Sequence, residues 1–408
     1  MFSLVLLFTW FAIFKKFVKK NKKKPKKTKN SAILLNKKNA IIVVLILLVF
    51  IGLVEVFLRY KYRNYESTSY YYTIDNFHPF LQSKLSATEP LHINQFGFRA
   101  EEIQMKKPKD VYRIFVLGGS TVLNREVVYK KNSVYLLEQK LKKQYPEKKI
   151  EVINAGKDYY TSEHSVIQYM FYIKEFSPDM IIMWHGINDL YESCSVDGVT
   201  HGQYKSDYSH FFGAVSNIVN NYFRPQPIIQ IKLLTFDFFV KFLHDNFYSD
   251  LTNIYKEYQK VTSAKNYRSG INTISDYYFP SVEAYKRNLL YLISILKEEN
   301  VELVLGDQPS LYKNNPTLNE TEKIMFPQLI CKKDNKYLSI DSFKKGLDIF
   351  NNITKQVALE NSVPFIDLDK KVPKNLNYFV DSVHYTERGN EAIADSLFDY
   401  IVRNNLIK

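Results

Sequence analysis

The chain has 408 residues, with 56 Lys+Arg against 42 Asp+Glu and a formal charge of +14. Twelve lysines lie between Lys15 and Lys38 with no acid among them, which leaves only +2 for the rest; charge gathered in one short run excludes a globally basic domain wrapped around nucleic acid. With 46% hydrophobic residues the chain can build a core, and its two cysteines, Cys194 and Cys331, are too few for a disulfide framework or a zinc site.

The opening stretch Phe2–Phe14 (FSLVLLFTWFAIF) is apolar but has only 13 residues, about 20 Å as a helix against a hydrocarbon core of about 30 Å. It reads as an interfacial segment, a partial insertion into a thinned bilayer, or the first arm of a two-helix hairpin. From Ala40 to Leu58 (AIIVVLILLVFIGLVEVFL) 19 residues carry one charge, Glu55, and about 28 Å of helix can cross a bilayer. A cleaved signal peptide would need a small-residue cleavage site, which Val54–Arg63 (VEVFLRYKYR) lacks. An uncleaved anchor is therefore expected. The lysine run before it belongs on the cytoplasmic side, which puts residues 59–408 outside the cytoplasm. That run is either a plain solvated loop or also a contact to anionic lipid. Tyr60, Tyr62 and Tyr65 among Arg59, Lys61 and Arg63 suit a membrane–water interface, or are ordinary tyrosines of a chain that has 31.

Beyond residue 110 short apolar runs alternate with amphipathic stretches. Strands are predicted at Tyr112–Leu117, Ile150–Ile153, Met180–Trp184, Val301–Leu305 and Pro364–Leu368. Helices are predicted at Ser133–Gln144, Glu163–Glu175, Val282–Glu298, Ser342–Glu360 and Glu387–Val402. Strand, helix, strand, helix implies a parallel sheet covered on both faces. The organisation is then a short apolar segment and polybasic cytoplasmic loop at 1–38, a transmembrane helix at 39–58, a juxtamembrane linker and domain entry at 59–110, and the folded domain at 111–408. Within that domain an aromatic-rich insertion at 190–280 is either a helical cap over the site or extra packing surface.

In open parallel sheets ligands sit at the carboxyl ends of the strands, so the residues just after each strand matter most. Here they are Gly118-Gly119-Ser120-Thr121, Asn154-Ala155-Gly156 and Gly186-Ile187-Asn188-Asp189, with Asp381-Ser382-Val383-His384 before the last helix. A serine hydroxyl needs a base to take its proton, and an imidazole suits the task. His384 is the candidate base, Asp381 can bend back within one turn to hold its other ring nitrogen, and Ser120 is the candidate nucleophile. The oxyanion of the tetrahedral intermediate needs donors, which the Ser120 and Gly156 N–H groups and the Asn188 side-chain amide could supply. Each block also has a conformational reading: Gly118-Gly119 as a tight turn, Asp189 as a turn carboxylate, Asp381 or Thr386 as a helix cap. Order and placement together favour the chemical reading. Gly118–Thr121 lacks the Lys of a phosphate-binding loop, and Val122 breaks the Gly-x-Ser-x-Gly of a nucleophile elbow. His164 and His185 read as hydrogen-bonded structural residues.

The four blocks resemble those of the SGNH hydrolase superfamily, the GDSL-like lipases and esterases, over about 300 residues. In that resemblance Ser120 stands in GGST where the family has GDS, Gly156 and Asn188 are oxyanion donors, and Asp381 and His384 complete the triad. Asn94-Gln95-Phe96-Gly97-Phe98-Arg99 is similar to a segment of a membrane-associated subgroup that shares the GGST variant. The implied fold is a flavodoxin-like three-layer α/β/α sandwich on a five-stranded parallel sheet. The implied activity is ester hydrolysis without cofactor or metal. With the anchor, this gives the expectation of a membrane-anchored serine esterase acting outside the cytoplasm on an O-acyl ester, O-acetyl included, of a carbohydrate or lipid. The rivals are an O-acyltransferase using the same triad on a cell-surface polysaccharide and a catalytically silent glycan- or lipid-binding module. Expected partners are the acyl-ester substrate and membrane lipid, with no nucleic acid. In an outward-facing domain Cys194 and Cys331 either pair or stay buried thiols.

Overall fold

The computed structural model describes residues 91–193, 277–324 and 336–407, with shorter pieces at 46, 49–57, 60, 75–78, 81–85, 87, 273–274 and 332–333. The chain divides into two units, Met1–Arg63 and Asn64–Lys408. In the first, residues 49–57 are helical; among the described residues no helix is long and apolar enough to cross a membrane. The remainder of the expected span at 39–58, the segment Phe2–Phe14, the lysine run, Cys194, Cys331 and most of the insertion at 190–280 lie outside the described residues.

The second unit is organised by five strands, β1 (Val111–Gly118), β2 (Lys149–Asn154), β3 (Met180–Trp184), β4 (Glu302–Gly306) and β5 (Phe365–Ile366). They pair in the order β5-β4-β3-β1-β2, every pair parallel. Ile114 to Leu117 of β1 and all of β3 are buried, so both faces need a helical layer. The helices are α1 (Ser133–Gln144), α2 (Ser162–Phe171), α3 (Ser281–Glu298), α4 (Ile340–Glu360) and α5 (Glu387–Arg403). The chain steps outward from β1 to β2, then back past β1 to β3, and onward through β4 to β5. Right-handed crossovers therefore put α1 on one face and α2, α3 and α4 on the other. The packing agrees, since α5 lies against α1 while α3 lies against α2 and α4. This is the expected three-layer sandwich on a five-stranded parallel sheet.

Local signals set most boundaries. Asn132 caps α1 by accepting from Val134 N at 2.9 Å, and Thr386 caps α5 by accepting from Gly389 N at 3.2 Å. Two elements end short of the sequence reading. The helix expected to reach Glu175 stops at Phe171 and resumes as a tighter turn at Ile173–Phe176. There Tyr172 leaves helical geometry, donates its hydroxyl to Phe96 O at 3.0 Å and packs its ring on Phe98 and Phe176. The last strand shrinks to Phe365–Ile366, because Pro364 has no N–H for the ladder and Leu368–Lys371 has already turned into a helix.

The strand register places the site. Gly118 pairs with Trp184, and Trp184 with Gly306, so the chain leaves β1, β3 and β4 at one edge. That edge contains the switch point between β1 and β3, whose outgoing connections run in opposite directions, to β2 and to β4, so that a crevice opens. The segment before β1 belongs to the same body: Phe98, Ala100 and Ile103 are core residues, and the Phe98 ring lies 5.2 Å from Phe115 and 5.4 Å from Phe176.

Candidate active site

The chain turns sharply after β1. Gly119 is extended, Ser120–Leu123 make one helical turn, and Asn124 closes it in the left-handed region (φ 44°) with its N–H on Ser120 O at 2.7 Å. A Cβ on Gly119 would lie 2.6 Å from Asn188 Nδ2 and 3.1 Å from Tyr160 O. The Asn188 amide thus occupies the space a side chain at 119 would need, which accounts for glycine beside the serine.

Ser120, His384 and Asp381 form one hydrogen-bonded chain. His384 Nε2 is 2.8 Å from Ser120 Oγ, and His384 Nδ1 is 2.7 Å from Asp381 Oδ2. The other carboxylate oxygen, Asp381 Oδ1, accepts the N–H groups of Val383 and His384, each at 2.9 Å. Burial opposes the charge on Asp381, but the facing imidazole and these donors outweigh it and hold its pKa down at about 2. Burial likewise disfavours a charged His384, yet Asp381 and, more weakly, Glu126 and Asp158 raise its pKa above the ordinary 6.5. The ring remains 22% exposed, so water reaches it.

Of the three expected oxyanion donors, the Ser120 N–H stands in the first turn of a helix, where N–H groups have no intrahelical partner. Asn188 Nδ2 gives one hydrogen to Tyr160 O at 2.9 Å; an amide nitrogen carries two, and this one lies against Gly119, the residue before the serine. Gly156 is placed differently from the sequence reading. Its N–H donates to Asn154 Oδ1 at 2.9 Å. Its missing side chain makes room for the serine turn, since a Cβ there would lie 2.6 Å from Leu123 N and 2.7 Å from Val122 Cβ.

Most of the residues that hold this arrangement were not singled out by motif. Arg99 is buried and its guanidinium donates to the carbonyls of Leu91, Leu123, Asn124 and Val127, three of them at 2.6–2.7 Å. A cation on the last carbonyls of the serine turn satisfies acceptors that a one-turn helix leaves open. Asn154 Nδ2 donates to Val122 O at 2.7 Å and Asn132 Nδ2 to Leu123 O at 3.2 Å. Asn124 Nδ2 reaches Tyr385 O at 3.2 Å, joining the serine turn to the residue after His384. From the segment after β4, Gln308 Nε2 donates to Tyr385 Oη at 3.0 Å, and Leu311 N donates to Ser382 O at 2.8 Å. The sequence signals were Asn154 in the second block and the Asn94–Arg99 resemblance, and neither carries a hint of these partners.

The other polar residues near the edge are structural. His164 accepts Thr161 N at 3.2 Å in a capping box and stacks on Tyr160. His185 is buried, which lowers its pKa to about 3, and it meets Ser165 Oγ at 2.7 Å. Asp189 accepts Ser162 Oγ at 2.5 Å and Ser162 N at 3.0 Å; burial raises its pKa to about 7 against those hydrogen bonds. Among the described residues no three His, Cys, Asp or Glu side chains are placed to hold a metal ion. A cavity of about 520 Å³ opens at the opposite end of the sheet, lined by Lys107, Tyr112, Asp179 and Glu302, and it contains none of the site residues.

A serine, an imidazole and a carboxylate hydrogen-bonded in line at this edge are an arrangement that can activate a hydroxyl for attack on an ester. The family model of GDSL-like lipase/acylhydrolases matches residues 89–397. The chain belongs to that family and is an ester hydrolase. No curated relative matches the chain by sequence. Similar solved structures include an acetylxylan esterase from Geobacillus stearothermophilus, 13% identical, covering 71% of this chain and 94% of that one with a TM-score of 0.41. An acetyl xylan esterase termed AlAXEase is 13% identical over 71% of this chain and 99% of that one, TM-score 0.39. An α/β hydrolase from the metagenome of Lake Arreo, Spain, is 12% identical over 71% and 94%, TM-score 0.38.

Two substitutions test the scaffold. Arg99→Met removes one donor from each of four carbonyls, Leu123 O keeping Asn132, and is expected to cost at least about 3 kcal/mol in urea unfolding, with Arg99→Lys recovering only part because an ammonium cannot fork to all of them. Gly119→Ala is expected to push the Asn188 amide aside and lower kcat on an aryl ester by about 10²–10³-fold, the cost of one oxyanion donor, while the fold persists by circular dichroism. Wild-type kcat in Gly119→Ala would contradict the placement of Asn188.

Proposed function

We propose that the chain is a membrane-anchored serine esterase that removes an O-acyl group, O-acetyl included, from a carbohydrate or lipid outside the cytoplasm. The observation that carries the chemistry is the Ser120–His384–Asp381 hydrogen-bonded chain. Ser120 Oγ attacks the acyl carbonyl as His384 Nε2 takes its proton, and Asp381 holds Nδ1–H and stabilises the imidazolium. The oxyanion is received by the Ser120 N–H and the Asn188 amide, while the Gly156 N–H donates to Asn154 Oδ1. His384 then protonates the departing alcohol. Water, deprotonated by the same nitrogen, releases the acid from the acyl-serine. Exposure of the His384 ring supports water as the acceptor.

The anchor rests on sequence alone, namely the apolar run at 40–58 behind twelve lysines. It would hold an almost neutral domain at the outer surface.

The serine mechanism is tested on the full chain in neutral detergent with short-chain aryl esters. Ser120→Ala is expected to lose about four orders of magnitude or more; equal rates would sink the mechanism. His384 must be neutral to accept the proton, and its pKa lies above 6.5, so activity should rise with pH through a midpoint above 6.5 and be lost below it. An acceptor glycan that diverts product from hydrolysis to transfer would move the reading to the acyltransferase. For topology, carbonate-washed membranes should retain the chain, and external protease on intact cells should remove residues 59–408 while sparing the lysine run. Release by carbonate or protection of the domain would overturn the anchor.

A further inference from the structure

Ser120 and His384 are each followed by a buried residue, Thr121 and Tyr385, and one side chain reaches both. Gln308 lies two residues past the end of β4 and is itself buried. Both ends of its amide are engaged: Oε1 accepts the Thr121 hydroxyl at 3.4 Å, and Nε2 donates to Tyr385 Oη at 3.0 Å and to Pro309 O at 3.1 Å. The backbone that carries it is fixed to α4, since Gln308 N donates to Asn351 Oδ1 at 2.9 Å and Asn351 Nδ2 donates back to Gln308 O at 3.1 Å. From a third side, a Cβ on Gly186 would lie 3.0 Å from Gln308 Cβ. The chain leading into the Asn188 turn therefore packs directly on Gln308, and the amide has no room to slide.

We infer that Gln308 is a positioning residue: by linking Thr121 to Tyr385 it holds Ser120 Oγ and His384 Nε2 at the 2.8 Å that proton transfer between them needs. The inference rests on Ser120 as nucleophile and His384 as base, and it assigns the spacing of that pair to a residue outside both motifs. Consecutive residues on a helical turn point about 100° apart, so Ser120 is partly open to the crevice while Thr121 is turned into the interior. Tyr385 is the fixed end of the His384 loop, which is closed by a bridge to Phe379 and by Val380 N on His384 O at 2.9 Å. The contact of His384 with Asp381 is set within that one loop and needs no outside support. The contact with Ser120 crosses between two segments and does. Asn124 Nδ2 ties the far end of the serine turn to Tyr385 O at 3.2 Å, and Gln308 ties the near end, beside the nucleophile. Two ties spaced along the turn fix its orientation as well as its distance.

The test uses the full chain in neutral detergent with para-nitrophenyl acetate. Gln308→Met keeps the length of the side chain without its amide and is expected to lower kcat/KM by about 10- to 100-fold, the cost of a misplaced reacting pair. It also leaves the Thr121 and Tyr385 hydroxyls without this partner, so stability falls too. The triple variant Gln308→Met, Thr121→Val, Tyr385→Phe removes those orphaned hydroxyls with little change of shape, and its urea midpoint should move back toward wild type. Its kcat/KM should stay low. Activity that returns together with stability shows that Gln308 only fills the core and overturns the inference, as does wild-type kcat/KM in Gln308→Met. A second readout needs no turnover. With histidine labelled by nitrogen-15, Ser120→Ala should move the His384 Nε2 resonance in the wild-type background and move it much less in the Gln308→Met background. The proton between His384 Nδ1 and Asp381 should stay where it is in both. An equal Nε2 response in the two backgrounds overturns the placement. If the wild-type chain does not hydrolyse the ester, the serine mechanism fails by itself, and the Nε2 response alone decides the role of Gln308.

Discussion

The hydrogen bond between Ser120 and His384 joins residues 264 apart in the chain. It forms only because the end of the first strand and the loop before the last helix come out at the same edge of the sheet. Parallel pairing makes this unavoidable: each helix returns the chain to the starting edge, so the loops after β1, β3 and β4 collect at the other. The order β5-β4-β3-β1-β2 then separates the loops beside β1 and leaves a crevice at the serine. The nucleophile, the amide of Asn188 and the His384 loop each depend on that register.

Bringing backbones this close has a polar cost, because turns packed in the interior bury N–H and C=O groups that must be paired. Buried asparagines and one arginine do most of the pairing. Asn132 and Asn154 satisfy carbonyls of the serine turn, Asn124 bridges to Tyr385, and Arg99 covers four carbonyls with one guanidinium. A planar fork with five donors suits this better than an ammonium would. The same network fixes the loop that follows the serine turn, from Asn124 to Val127.

Much of this was legible in the sequence where the signal is local. The ends of α1 and β3 coincide with the predicted ones, because a capping asparagine and an uninterrupted apolar run need no distant partner. Asp381 and His384 were legible for the same reason, since three residues of spacing lets the carboxylate fold back on the ring within one turn. Tyr172 was not, because its departure from the helix answers to Phe96, 76 residues away. Arg99 was not either, since its carbonyl partners lie 8 to 28 residues ahead or behind in sequence and carry no side-chain signature. Gly156 was half legible: the need for glycine was clear, but the reason is the packing of Val122 and Leu123 beneath it.

The sequence by itself determined the alternation of strands and helices, the chemical identity of the serine, histidine and aspartate, and the gathering of charge into one lysine run. These depend on periodicity, residue chemistry and spacing within a turn or two. Only the tertiary structure decided which face each helix covers, that Asn188 fills the space beside Gly119, and that Asn154 claims the Gly156 N–H. Those outcomes depend on the strand register and on the distances it sets between segments, which a linear pattern does not contain.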